Sequence, residues 1–145
     1  MLKFAFPVAA LLLAAPLAVS AKTDPATWVK HIQAELDAIN RKQKWLPEGE
    51  AQGGALAAGG EARLDYALAA GTAYRLILVC EQDCASGEAE LTDPSGARLG
   101  DPKPLVNMPA FEATPASAGT YALKVRMTDC AVAECVWSAR LYARR

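Results

Sequence analysis

Two pairs of closely spaced cysteines, Cys80 with Cys84 and Cys130 with Cys135, constrain this chain more than any other feature. Each pair borders β-patterned sequence: the run 74–80 ends in the first, and the alternating run from Tyr121 to Met127 precedes the second. An even cysteine count in an exported chain reads as a disulfide framework. A four-sulfur zinc site would draw on the same residues, but the usual ribbon spaces its cysteines by two, and an oxidising compartment favours sulfur–sulfur bonds. Pairing within each couple closes two short loops at ~2 kcal/mol apiece by chain entropy, whereas joining Cys80 to Cys130 closes about fifty residues at ~4 kcal/mol. Geometry decides between these pairings. The local pairs are expected, because each would lock a loop at the end of one strand.

Export is read from the other end of the chain. Lys3 supplies a short positive region, and an apolar run from Phe4 to Val19 contains Leu11, Leu12 and Leu13. The run closes on Val19, Ser20 and Ala21, a small-residue cleavage pattern, so 1–21 reads as a secretory signal peptide. Pro7 and Pro16 interrupt the run, and it is short for a membrane span. A periplasmic or secreted protein is expected.

Three parts follow. The segment 22–46 predicts an amphipathic helix, near 25–44, with Asp24 as N-cap and Pro25 at its first position. Val29, Ile32, Leu36 and Ile39 recur at steps of three and four and share one face, with Trp28 beside it. Lys30, Gln33, Glu35 and Asp37 fall on the remaining positions, and Pro47 stops the helix. The segment 47–60 reads as a flexible linker, because Gly53–Gly54 and Gly59–Gly60 bracket small alanines. From 61 to 145 the pattern is β. Leu64, Tyr66 and Leu68 alternate with polar or small residues. The run 74–80 is apolar enough for a central strand. Ala89 and Leu91 mark a short strand before the turn Asp93-Pro94-Ser95-Gly96. A weaker strand lies within 105–113, broken by Pro109. Tyr121, Leu123, Val125 and Met127 point one way along the next strand, and Trp137, Ala139 and Leu141 share a face of the last. About six short strands separated by turn signals predict an antiparallel, jelly-roll-like β-sandwich preceded by one helix.

Charge and motifs narrow the function. The formal net charge is −1 and the basic residues form no cluster, which argues against nucleic-acid binding. His31 is the one histidine, and no nucleophile or orienting acid stands near it in sequence. The glycine pairs lack the Lys-Ser/Thr of a phosphate loop. Glu81, Asp83, Glu88 and Glu90 gather around the first cysteine pair. Calcium is the cofactor such oxygens would take, although the twelve-residue calcium-loop pattern is absent and no cofactor is the expectation. Paired carboxylates for glycoside cleavage are the remaining catalytic option.

Three stretches of the β region resemble the bacterial pre-peptidase C-terminal domain family. Gly71-Thr72-Ala73-Tyr74-Arg75-Leu76 looks like its G-x-x-Y-x-L/V strand. Leu91-Thr92-Asp93-Pro94-Ser95-Gly96 is similar to its L-x-D-x-x-G turn. Ala118-Gly119-Thr120-Tyr121-Ala122-Leu123-Lys124-Val125 looks like its closing G-T-Y-x-L-x-V strand. The likeness spans 61–142, and the cysteine elements suggest a disulfide-bearing variant. It implies a secreted, non-catalytic sandwich module. The expectation is therefore a binding or accessory domain contacting a protein or a cell-envelope glycan through the loops 81–88 and 129–134. The helix stripe, Trp28, Val29, Ile32, Leu36 and Ile39, would be a second contact. The alternatives are an assembly protein joined through its helices and, last, an uncharacterised hydrolase.

Overall fold

A computed structural model describes residues 24–145, so the expected signal peptide lies outside the described residues. The helix α1 (Pro25–Lys42) opens as its sequence dictates. The Asp24 carboxylate accepts the Thr27 amide at 3.1 Å, and Arg41 and Lys42 stand in the last turn, where cations oppose the helix dipole. Nine strands follow: β1 (Leu46–Pro47), β2 (Gln52–Leu56), β3 (Glu61–Leu68), β4 (Ala73–Cys80), β5 (Cys84–Thr92), β6 (Lys103–Pro104), β7 (Ala110–Ala113), β8 (Gly119–Cys130) and β9 (Cys135–Arg144).

They form two antiparallel sheets. The first has the order β1-β9-β4-β7, with β2 also on β9, and the second has the order β3-β8-β5-β6. The expected β-sandwich with one preceding helix is what the chain forms. Between the sheets the inward residues of β8 (Tyr121, Leu123, Val125, Met127) meet those of β9 (Trp137, Ala139, Leu141) and β4 (Tyr74, Leu76, Leu78). The two-residue period of a strand places these side chains on one face, which is why the alternation was readable. Trp137 belongs to this core and is 2% exposed. The expected turn at Asp93 is closed by its own carboxylate, which accepts the Ser95 amide at 2.9 Å and the Ala97 amide at 3.0 Å.

Two expectations need correction. The segment 47–60 is not a free tether. Leu46–Pro47 and Gln52–Leu56 pair in sequence along β9, from Leu46 opposite Ala143 to Leu56 opposite Cys135, as one interrupted edge strand. Gly53 serves close approach: a Cβ there would collide with the Trp137 carbonyl. The weaker strand expected within 105–113 is present as β7, beyond Pro109, and a 3-10 turn (Leu105–Asn107) precedes it.

The second correction concerns the helix stripe. Most of it is spent within the chain. Leu36 and Trp45 form a second core with Ile77, Val79 and Tyr142 on the outer face of the first sheet, and Trp28 and Ile32 pack against it. Val29 is half-buried, and Ile39 alone of the five is left exposed, at 55%. The helix is rolled so that Gln33, Asp37 and Asn40 also face the sheet, because that sheet face is partly polar. Gln33 donates to the Ser138 hydroxyl at 2.8 Å. Asp37 receives both Arg140 Nε (3.1 Å) and Nη2 (2.9 Å), and the Tyr142 hydroxyl at 2.9 Å. Burial alone would lower the Arg140 pKa, but the bonds and charge of Asp37 outweigh it and hold the guanidinium above its usual value. Trp45 lies between two guanidinium groups, with Arg75 at 4.5 Å and Arg144 at 4.3 Å from the ring centroid.

Candidate binding surface

The two cysteine couples close as Cys80–Cys84 and Cys130–Cys135, the expected local pairing. Each bridge spans a crossover from one sheet to the other: β4 to β5 in the first case, β8 to β9 in the second. The two crossovers are neighbours, because Cys84 and Cys130 are register partners on β5 and β8. Backbone bonds tie them together. The Ala131 amide donates to the Asp83 carbonyl at 2.8 Å and the Glu81 amide to the Val136 carbonyl at 3.0 Å. The Glu81 side chain accepts the Val136 amide at 3.0 Å.

A third loop leans toward the same end. Leu105 is buried against Gly87, where a Cβ would lie 2.7 Å from Leu105 Cδ1. The Leu78 amide donates to the Pro109 carbonyl at 3.0 Å. Between these anchors the chain presents Val106 and Met108, each 53% exposed, and Met108 takes a left-handed backbone conformation (φ 49°). Val132, at the tip of the second crossover, is a further exposed apolar side chain. The turn 57–60, the crossovers 81–84 and 129–134, and the loop 105–109 contain Glu81, Asp83, Asp129 and Glu134 but no lysine or arginine. This end of the sandwich is thus acidic, studded with apolar tips and rigidly cross-tied.

The carboxylates singled out near the first cysteine pair do not converge. Glu81 and Asp83 lie in the crossover. Glu88 and Glu90 stand on β5 in the second sheet, opposite Arg126 and Lys124 of β8. Among the described residues no group of three or more His, Cys, Asp or Glu side chains is placed to hold a metal ion. The outer face of this sheet is instead a lattice of charges in register. Glu61, Arg126 and Glu88 form one row, and Arg63, Lys124 and Glu90 the next. Glu61 accepts Arg126 Nε at 2.8 Å. Along the second row lies an open groove of about 480 Å³, lined by Glu61, Arg63, Lys124 and Glu90 and, on the far side of that row, by Ala122 and Thr92. His31 is on the solvent side of α1, 3.2 Å from Glu35 one turn on.

Sequence reasoning found the two crossovers. It missed the loop at Val106 and Met108, whose one signal was an apolar run broken by Pro104 and Pro109. Of the helix stripe offered as a second contact, Trp28, Ile32 and Leu36 are committed to the chain's own sheet and Ile39 is left exposed.

These features define a helix-backed antiparallel β-sandwich with one disulfide-stapled end. No family model matches the chain. No curated protein matches it either. Among solved structures, it is similar to PliG of Aeromonas hydrophila, a periplasmic lysozyme inhibitor of g-type lysozyme. The superposition covers 68% of this chain and 88% of that one, at 8% identity and a TM-score of 0.48.

Proposed function

We propose that this protein is an exported, non-catalytic β-sandwich module, periplasmic or secreted, that uses its disulfide-stapled end to bind a partner in the cell envelope. The observation that carries the reading is the cross-tied pair of crossovers with exposed apolar tips beside them. Ordering a loop on binding costs free energy, and here the bridges and backbone bonds have ordered it in advance. Exposed apolar side chains on a rigid rim suit the centre of a protein contact.

A protein partner fits better than a glycan. Stacking on sugar rings needs an accessible aromatic face. Among the described residues Trp45, Tyr66, Tyr74, Phe111, Tyr121, Trp137 and Tyr142 are buried, and Trp28 packs into the helix-side core. The resemblance of three short motifs to those of the pre-peptidase C-terminal domains agrees with an accessory role, and the two formed disulfides agree with an oxidising compartment.

The test is capture from envelope extract on the immobilised, disulfide-intact protein, compared with a Met108→Asp/Val132→Asp variant. Both positions are exposed, so the variant keeps its fold by circular dichroism. The expected result is a defined protein retained by the wild type and lost by the variant. Equal retention by both would assign binding to another face, and retention of glycan alone would exclude the protein reading.

A further inference from the structure

The long strands β9 and β3 differ in how they are flanked. The edge of β9 is covered over most of its length by β1 and β2. The strand β3 pairs with β8 on one side only, and among the described residues no strand lies along its other side. The hydrogen-bond phase shows which groups that free edge offers. The Met127 amide donates to the Gly60 carbonyl at 2.9 Å, and Glu61 is the register partner of Arg126. Even-numbered residues of β3 therefore bond to β8, and the amides and carbonyls of 61, 63, 65 and 67 point away from it. All four residues are exposed. An edge eight residues long with four residues offering unpaired backbone groups is a template for another strand.

The side chains on that edge select which strand. Glu61, Arg63 and Asp65 alternate in sign along one face. Two copies of β3 laid antiparallel about a two-fold axis at Leu64 overlap from 61 to 67. That register sets Arg63 of each copy directly opposite Asp65 of the other. Moving the axis to Arg63 places Glu61 against Asp65 and Arg63 against itself, and moving it to Asp65 sets that carboxylate against itself. An axis at Ala62 restores opposite charges but shortens the strand overlap to three residues, from 61 to 63. One register alone is both long and complementary. The inner face agrees with it. Tyr66 and Leu68 are buried in the core, whereas Ala62 and Leu64 at the rim are half-buried. A second copy would bring Leu64 against Leu64 on the axis and Ala62 against Tyr66, completing their burial.

We propose that the free edge of β3 is a self-association surface, on which two copies join antiparallel at Leu64 to make their second sheets continuous. The charges that deter unrelated strands are complementary to the same strand turned about. This inference is independent of the binding role assigned to the stapled end.

The experiment is sedimentation equilibrium of the disulfide-intact protein over a range of concentrations, with hydrogen exchange read in parallel. A reversible dimer is expected, with the amides of Arg63, Asp65 and Ala67 gaining protection as concentration rises. Arg63→Asp replaces both attractive pairs with repulsive ones and should weaken the dimer about tenfold. The double exchange Arg63→Asp/Asp65→Arg re-creates the pairs and should restore it, which a loss of folding would not allow. Asp65→Pro removes an edge amide that the β8 ladder does not use and should leave a monomer. A protein that stays monomeric at every concentration overturns the proposal, and so does a dimer indifferent to these substitutions. Edge amides already protected in a monomer also overturn it, and would point to a segment of the same chain as the occupant. Failure of the double exchange to restore association overturns the register.

Discussion

The outer faces of the two sheets differ more than their shared core suggests. The first sheet carries Ile77, Val79, Ser138, Arg140 and Tyr142 outward, and all five are buried because α1 and Trp45 cover them. The second carries Glu61, Arg63, Asp65, Lys124, Arg126 and Glu88 outward, and these stay in water. Both faces contain charge, but it is organised differently. On the covered face a bidentate pair, Asp37 with Arg140, is completed by Tyr142 and by the Gly49 carbonyl, which takes Arg140 Nη1 at 2.7 Å. On the open face the pairs are ladder neighbours at the surface, such as Arg126 with Glu61. A buried ion pair is tolerable only when its remaining hydrogen-bonding groups are satisfied, whereas an exposed one has water to do this. The covered face is therefore where single substitutions should be costly, and the open face is where the surface can change freely.

The largest effect expected from this contrast is at Trp45. Trp45→Ala removes a buried ring held between Arg75 and Arg144 and should destabilise the fold by about 4 kcal/mol in urea unfolding. Asp37→Ala strands the Arg140 guanidinium and should cost about 3 kcal/mol by the same measurement. A loss below a tenth of either figure would mean that the helix is not docked as described.

Two of the buried tyrosines sharpen the comparison through pH. Burial, followed by the bond to Asp37, raises Tyr142 above its ordinary value on the covered face. Between the sheets, burial alone pushes Tyr66 up to about 12 from 10.0. Above the ordinary tyrosine pKa the unfolded chain sheds phenolic protons that the folded one retains. Stability is therefore complete below pH 10 and falls as pH climbs toward 12. Tyr66 by itself should contribute a loss of about 2 kcal/mol over that window. Tyr66→Phe should remove this component and leave the Tyr142 part. A pH-independent unfolding midpoint in the alkaline range would contradict both burials. The smallest effect is expected on the open face. Lys124→Ala should change stability by less than about 0.5 kcal/mol, because its neighbours Arg63 and Glu90 remain solvated.

How much of this was legible without coordinates differs by element. The alternation Tyr121, Leu123, Val125, Met127 named the core face of β8, because a strand of this kind is buried on one side and carries its own label. The cysteine couples were legible for a similar reason, since residues four and five apart meet readily at a strand end. The edge strand at 52–56 was not legible. Gln-Gly-Gly-Ala-Leu has neither β-branched residues nor alternation, and only the collision awaiting a side chain at Gly53 explains why glycine stands there. Val106 and Met108 were not legible as a surface, because apolar residues beside prolines read equally well as a broken strand.

By itself, then, the amino-acid order determined the antiparallel sandwich and the apolar stripe of its helix, and it favoured the local pairing of its cysteines without fixing it. These are local properties, set by periods of 2 and 3.6 residues and by short loops. The tertiary structure alone decided which surface that stripe would cover, and which edge would be left bare. It also decided that Gln33 and Asp37 would turn inward to meet Ser138 and Arg140, about a hundred positions away. A polar residue's burial depends on a partner that no local pattern contains, so it is fixed only when the layers close.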